Sequence, residues 1–371
     1  MPEEAEAFHS CVDELRKAFR EYDQTVDIVS CWQSFINYSF GDDAYFDRYP
    51  EDPDTGLTPD FTINFGSYGI IGEIKRTFPQ SKKGLETEIE QLVKYDQTLS
   101  LRQSETQFGT PESQDMLLLL FDPGAAYQIT DRIVSYVEEN GVDLDGALNV
   151  VDASYDSSSV KSRYVFRIVP GQDASFQDET LPREKSLEKI LVNDREAIEV
   201  YPKHFVETKA KEVLCNDEPP PLYMAVHLWT RIFYDLLTEE QRETWRLQNP
   251  QKTMEVDVTP EDLADRLNDW YLEGDAVRVS WVRSALEFLS AAGLAREDGS
   301  DYVVEYRYLT QLYGHRQHHQ KGKDELKVQK ECGRALADFY CREHLGVGED
   351  AVPGGDGPKG IQQKLGELGQ D

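Results

Sequence analysis

Two carboxylates and an ammonium group lie close together in the segment Thr58–Thr77, and their residue types suit the hydrolysis of a phosphodiester bond. Asp60 and Glu73 offer the hard oxygen ligands that Mg²⁺ prefers. A bound Mg²⁺ lowers the pKa of a water ligand and stabilises charge on the scissile phosphate. Lys75 is placed to orient that water or to neutralise the transition state. The segment therefore predicts a divalent-metal site with phosphodiesterase chemistry.

The same segment has the alternation of a β-hairpin, with a loop centred on Ser67 and Tyr68 that pairs Thr62 with Glu73 and Asp60 with Lys75. Side chains alternate between the two faces of a strand. The polar face then carries Asp60, Thr62, Asn64, Glu73 and Lys75. The apolar face carries Phe61, Ile63, Phe65, Ile70 and Ile74. A slip of one residue would mix the faces, so this assignment is testable.

Pro59-Asp60 followed by Glu73-Ile74-Lys75 resembles the signature of the PD-(D/E)xK (restriction-endonuclease-like) nuclease superfamily. Gln91-Leu92-Val93-Lys94-Tyr95 is similar to the Gln-x-x-x-Tyr element of its recombination-exonuclease branch, and residues four apart share a helix face. The resemblance covers residues 1–170. It implies metal binding by Asp60, Glu73 and the main-chain carbonyl of Ile74, with Lys75, Gln91 and Tyr95 completing the catalytic set. The alternative is a surface hairpin whose Asp60–Lys75 pair has little energetic value.

The distribution of charge along the chain bears on nucleic-acid binding. The chain has 70 acidic against 39 basic residues and a formal net charge of −31, which opposes non-specific nucleic-acid binding. Yet four basic residues and no acidic residue lie between Ile74 and Gly84. We predict that this island and the helix after it contact nucleic acid through Arg76, Lys82, Lys83 and Lys94. A solvated lysine loop is the alternative.

Periodicity and turn residues predict an α/β fold, with a restriction-endonuclease-like mixed sheet flanked by helices. Helices are expected at 3–22, 27–40, 85–101 and 129–139, strands at 61–65, 69–77, 116–121, 147–153 and 164–169, and a loop at 41–58. The predicted domains are a nuclease-like domain at 1–170, a connector at 171–218, a helical winged-helix-like domain at 219–345 and a disordered tail at 346–371.

The C-terminal domain is expected to contain an N-capped helix from Thr259, a second helix from Ser280 and a hairpin around Asp298-Gly299-Ser300, the order typical of a winged helix. Arg278 and Arg283 favour DNA contact by the second helix. Glu287 and the acidic helix before it oppose this contact. DNA binding and a protein-interaction or dimerisation role both stay open.

The cysteine spacing and the acidic composition predict a cytoplasmic location. Five widely spaced cysteines without a CxxC pair predict reduced thiols in a cytoplasm. No long apolar run is available to span a membrane, and the acidic start Met1-Pro2-Glu3-Glu4 is unlike a signal peptide. The acidic balance resembles the cytoplasmic proteins of salt-accumulating microbes, and an ordinary acidic cytosolic protein is the alternative.

Together these patterns predict a Mg²⁺- or Mn²⁺-dependent nuclease acting on DNA, with RNA left open as a substrate. Its C-terminal module would position the substrate, a protein partner or a second copy of the chain. The competing prediction is a regulator without catalysis that binds DNA or protein on a nuclease-like scaffold. Retention of Asp60, Glu73 and Lys75 together favours the enzyme.

Overall fold

A computed structural model describes residues 2–76, 79, 81–104, 106–121, 123–142, 144–156, 162–169, 174–182, 185–193, 197–207, 218–246, 253–270, 277–307, 309 and 323–347. The chain divides into two compact units. Residues 25–216 form one, here called the sheet unit, and residues 1–24 with 217–371 form the other, here called the helical unit. The predicted tail from 348 onward lies outside the described residues.

The helices and strands follow in chain order. The helices are α1 (Pro2–Phe40), α2 (Lys82–Thr98), α3 (Pro123–Asn140), α4 (Pro202–Glu207), α5 (Pro221–His227), α6 (Phe233–Leu236), α7 (Glu239–Arg246), α8 (Pro260–Trp270), α9 (Val279–Ala291) and α10 (Lys323–Leu345). The strands are β1 (Tyr45–Arg48), β2 (Phe61–Asn64), β3 (Tyr68–Lys75), β4 (Leu101–Ser104), β5 (Gln107–Gly109), β6 (Ser113–Leu120), β7 (Leu148–Asp156), β8 (Arg163–Ile168), β9 (Ile198–Val200), β10 (Met254–Val258), β11 (Ala295–Asp298) and β12 (Asp301–Tyr306).

The sheet unit is built on a seven-stranded mixed sheet with the order β1-β2-β3-β6-β7-β8-β9. β3, β6 and β7 run parallel, and the outer pairs are antiparallel. The central strand β6 buries every residue from Asp115 to Leu120, as expected for a strand covered on both faces. The predicted α/β class with a mixed sheet is confirmed.

The first helix differs from the prediction. Residues 2–40 form one helix instead of two, because no glycine or further proline interrupts the chain before Gly41. Trp32 on its buried side lies 6.0 Å from Phe61 and 5.6 Å from Phe166, measured between ring centroids. This part of α1 therefore covers the apolar face of the predicted hairpin.

Short strands account for the other differences. The predicted loop at 41–58 contains the edge strand β1, which pairs with β2. The predicted connector at 171–218 contains β9, which completes the sheet beside β8. β1 spans four residues and β9 spans three, which is too short for a periodic apolar pattern to be detected.

The helical unit contains a three-stranded sheet with the order β10-β12-β11. The predicted N-cap before α8 is confirmed, since the backbone N–H of Asp262 donates to Thr259 Oγ1 at 3.0 Å. The predicted hairpin is also confirmed, with Gly299 in the left-handed region at φ 70°. Among the described residues, no helix combines the length and apolar character needed to cross a membrane.

A disulfide joins Cys11 of α1 to Cys341 of α10, across a sequence separation of 330 residues. The prediction of reduced thiols is therefore wrong for this pair, because spacing along the chain does not report which helices pack together. Cys31 and Cys332 are buried and are not disulfide-bonded, and Cys215 lies outside the described residues.

We expect Cys11→Ser to lower the free energy of unfolding of the helical unit by about 2–4 kcal/mol, because the crosslink restricts the unfolded chain. Urea denaturation with and without a reductant measures this difference. The reductant should destabilise the wild type and leave Cys11→Ser unchanged. A wild type that is indifferent to reductant would show that the bond is absent in solution.

Candidate active site

The hairpin has the predicted faces but a different register. Thr62 lies opposite Ile71, and Asn64 lies opposite Gly69, a shift of two residues from the predicted pairing. The turn is centred one residue earlier because Gly66 adopts a φ of 92°, which a tight hairpin turn requires. Asn64 Oδ1 accepts a hydrogen bond from the Gly66 N–H at 2.7 Å and fixes that turn. An even shift preserves the alternation, so the predicted polar and apolar faces survive.

Asp60 and Glu73 meet where the hairpin strands end. Continuing the register by one residue from Phe61 and Gly72 places Asp60 opposite Glu73. Asp60 Oδ2 accepts a hydrogen bond from the Ile74 N–H at 2.7 Å. In return, the Glu73 carboxylate accepts one from the Asp60 N–H. Each acid is thus held by a backbone N–H of the segment that carries the other.

Lys75 completes the cluster but not through the predicted pairing. Its Nζ lies 2.9 Å from Glu73 Oε1 and 2.8 Å from Glu88 Oε2, so the ammonium bridges two carboxylates. Burial acts to lower the pKa of Lys75, but Glu73 and Glu88 outweigh it and raise that pKa above its usual value. Burial raises the pKa of Glu73, which is 6% exposed; Lys75 opposes this effect and Glu88 adds to it.

Glu88 is the member of the site that the sequence analysis missed. It lies on α2 three residues before Gln91 and seven before Tyr95, which is the spacing of one helix face. A search of the helix for further acids in phase with Gln91 and Tyr95 would have found it. Ser81 begins this helix by accepting a hydrogen bond from the Gly84 N–H.

Gln91 and Tyr95 extend the site along α2. Gln91 Nε2 donates to the Tyr95 hydroxyl at 2.6 Å, and that hydroxyl donates to the Thr58 carbonyl at 3.3 Å. Burial and the nearby Glu73 carboxylate raise the pKa of Tyr95 to about 12. The Tyr95 ring packs among apolar residues of the sheet, including Ile71. The Tyr95 hydroxyl therefore lies near the carboxylate cluster and Gln91 contacts that hydroxyl, while the Tyr95 side chain itself is buried.

The basic residues predicted to contact nucleic acid lie in different environments in the structure. Arg76 is half-buried, with its guanidinium 5.2 Å from the centre of the Phe121 ring and 3.4 Å from Thr25 Oγ1. Lys82 and Lys83 are exposed in the first turn of α2, and Lys94 is exposed further along it. The three lysines, unlike Arg76, are thus open to solvent.

The ligand chemistry of the site fits a hard divalent cation. Asp60, Glu73 and Glu88 supply carboxylate oxygens, the ligands that such a cation prefers, and Lys75 pairs with the last two of them. Among the described residues, however, no group of three or more His, Cys, Asp or Glu side chains is arranged to hold a metal ion. Lys75 lies between Glu73 and Glu88, where such an ion would compete with its ammonium.

The apolar face beneath the site is closely packed. A Cβ atom added to Gly72 would lie 2.2 Å from Cζ of Phe61. Phe61 is fully buried and stacks on Trp32 and Phe46, at 6.0 and 5.2 Å between ring centroids. The absence of a side chain at Gly72 therefore sets how closely β3 approaches β2, one residue away from Glu73.

No protein-family model, no curated protein and no solved structure matches this chain.

We expect Gln91→Ala to weaken substrate binding at least tenfold while changing the free energy of unfolding by less than about 1 kcal/mol, since Gln91 is only partly buried. Tyr95→Phe removes the hydroxyl that Gln91 contacts but keeps the buried ring, so it should reproduce a smaller part of the binding defect. Fluorescence anisotropy with labelled DNA and urea denaturation separate the two effects. A Gln91→Ala protein that binds normally would remove this residue from the site.

Proposed function

We propose that this chain is a Mg²⁺-dependent nuclease that hydrolyses DNA phosphodiester bonds. The observation that carries the proposal is the convergence of Asp60, Glu73 and Lys75 at the end of one hairpin, next to Gln91 and Tyr95 of the following helix. The order of α1, the β2–β3 hairpin, α2 and β6 is also the order that a restriction-endonuclease-like core requires. Mn²⁺ would serve in place of Mg²⁺.

In this proposal each side chain has a distinct role. Asp60, Glu73 and the Ile74 carbonyl would hold the cation, which would supply Lewis acidity when bound. Lys75 neutralises charge that develops on the phosphate. Gln91 orients the substrate along α2, and the buried Tyr95 positions Gln91 through its hydroxyl. The exposed lysines at 82, 83 and 94 attract the phosphate backbone by local positive potential on an acidic body.

We propose that the helical unit is winged-helix-like and that it binds a protein partner or a second copy of the chain. Its strand order β10-β12-β11 around α8 and α9 supports that fold. Its surface argues against DNA contact. α9 buries six of its thirteen residues, and its exposed Arg283 lies 3.5 Å from Glu261. The hairpin tip exposes Glu297, Asp298 and Asp301, which repel phosphate.

A regulator without catalysis is the second candidate. The ion pairs of Lys75 with Glu73 and Glu88 favour it. The ammonium already balances part of the charge of these two carboxylates. Thermal melting separates the two candidates. Mg²⁺ or Mn²⁺ should raise the melting temperature of the wild type but not of Asp60→Ala if the site binds metal.

Cleavage assays test the proposal directly. Linear, circular, single-stranded and branched DNA, together with RNA, are incubated with Mg²⁺, with Mn²⁺ and with a chelator, in molar KCl and in low salt. Metal-dependent cleavage that Asp60→Ala abolishes is the expected result. Asp54→Ala removes an exposed acid of the same unit and should cleave normally. Cleavage that persists in Asp60→Ala would place the activity elsewhere or in a contaminant.

A further inference from the structure

Glu88 makes a contact that the proposed chemistry does not yet use. Its Oε2 lies 2.8 Å from Lys75 Nζ, while Glu73 Oε1 lies 2.9 Å from the same nitrogen. The Lys75 side chain is 21% exposed and that of Glu88 is 24% exposed, so water reaches the contact only in part. The ammonium is thus shared almost evenly between a strand residue and a helix residue.

This sharing matters for any cation that binds Glu73. A divalent ion on Glu73 Oε1 must take the position that the Lys75 ammonium now faces, because two positive charges cannot occupy it together. With Glu73 as its main partner, Lys75 would lose its ion pair whenever the ion bound. With Glu88 also present, Lys75 keeps one charged partner, and the cost of releasing Glu73 falls.

We propose that Glu88 is a positioning residue, which holds the Lys75 ammonium on α2 and thereby leaves Glu73 available to a divalent cation. The inference rests on the proposed metal-dependent function. It assigns Glu88 an effect that acts through Lys75, whereas Asp60 and Glu73 contact the cation themselves. The contact between Lys75 and Glu88 also keeps the ammonium beside the bound cation. Lys75 must lie there to act on the phosphate.

A double-mutant cycle on metal affinity tests this assignment. Glu88→Gln keeps the size of the side chain and removes its charge, so Lys75 should pair with Glu73 alone. We expect Mn²⁺ binding, measured by titration calorimetry, to weaken about tenfold, which is within the usual range of coupling between neighbouring sites. In a Lys75→Met background the same change should weaken binding about twofold or less, because the competing ammonium is gone.

Two further variants serve as controls for this experiment. Glu90→Gln removes an exposed acid from the same helix and should leave Mn²⁺ affinity unchanged. Glu88→Asp keeps the charge but shortens its reach, so it should give an intermediate loss even if Glu88→Gln folds poorly.

The outcomes separate this inference from the proposed function. An equal loss in both backgrounds means that Glu88 acts on the cation directly, and no loss in either means that it does not act at all; both overturn the positioning role. A wild type that binds no Mn²⁺ instead overturns the proposed function, and the inference with it. A loss confined to the Lys75 background supports both.

Discussion

Asp60→Ala is expected to abolish metal binding and cleavage together, whereas Lys75→Met should slow cleavage and leave metal binding in place. Asp60 supplies a hard oxygen ligand and also holds the Ile74 N–H at 2.7 Å, so its loss removes a ligand and loosens the strand that carries Glu73. Lys75 is no metal ligand. Removing one preorganised charge-stabilising group typically costs about 10²–10³ in rate.

The contact between Lys75 and Glu73 predicts how Lys75→Met changes metal affinity. Because the ammonium lies 2.9 Å from Glu73 Oε1, its removal relieves a competitor for that oxygen. Mn²⁺ should therefore bind this variant as tightly as the wild type or more tightly. Calorimetric titration and single-turnover cleavage of both variants make the comparison, and Asp54→Ala is the control.

The contradicting results are specific to each residue. Equal Mn²⁺ affinity in the wild type and Asp60→Ala would mean that the carboxylate pair is not the metal site. Undiminished cleavage by Lys75→Met would leave the metal site intact but remove the proposed role of the ammonium.

Gly72→Ala is expected to destabilise the sheet unit by about 3 kcal/mol, the upper part of the range for an overpacked core. The added methyl group would meet the Phe61 ring at 2.2 Å, and the ring is held between Trp32 and Phe46. β3 must then move away from β2, which also separates Glu73 from Asp60. Urea denaturation and Mn²⁺ titration should both register the change.

Two matched variants test the cause of that destabilisation. Phe61→Leu combined with Gly72→Ala frees the space and should recover part of the lost stability. Gly333→Ala, in helix α10, meets its nearest side chain at an ordinary 3.5 Å and removes a helix-interior glycine, so it should be neutral or stabilising by up to about 1 kcal/mol. A Gly72→Ala protein as stable as the wild type would show that the Phe61 ring yields readily.

The faces of the hairpin could be predicted from sequence because alternation depends only on residue type. The register could not, since it depends on the φ of Gly66, and the choice between two nearby turn centres is made by the Asn64 side chain. The predicted Asp60–Lys75 pair was wrong for that reason. Asp60 and Glu73 still meet, because a shift of two residues leaves both on the same face.

Glu88 was missed for a different reason. Its spacing from Gln91 and Tyr95 marks it as a candidate on their helix face, but its contact with Lys75 depends on how α2 crosses the sheet, which that spacing does not specify. The disulfide between Cys11 and Cys341 was missed in the same way, since helix packing brings together residues at opposite ends of the sequence. Continuous elements such as β6 and α2 were found because their own apolar patterns are long enough to detect.

The division of the chain also sets an order of events during synthesis. Residues 1–24 leave the ribosome long before their partners in the helical unit, which include Tyr223 beside Phe19 and Cys341 bonded to Cys11. At about 5–20 residues per second, the delay to α10 is tens of seconds. The sheet unit can fold within that interval, while the side chains of Phe8 and Phe19 are still exposed to solvent. A nascent chain halted before α10 should therefore expose an apolar helix to chaperones and proteases.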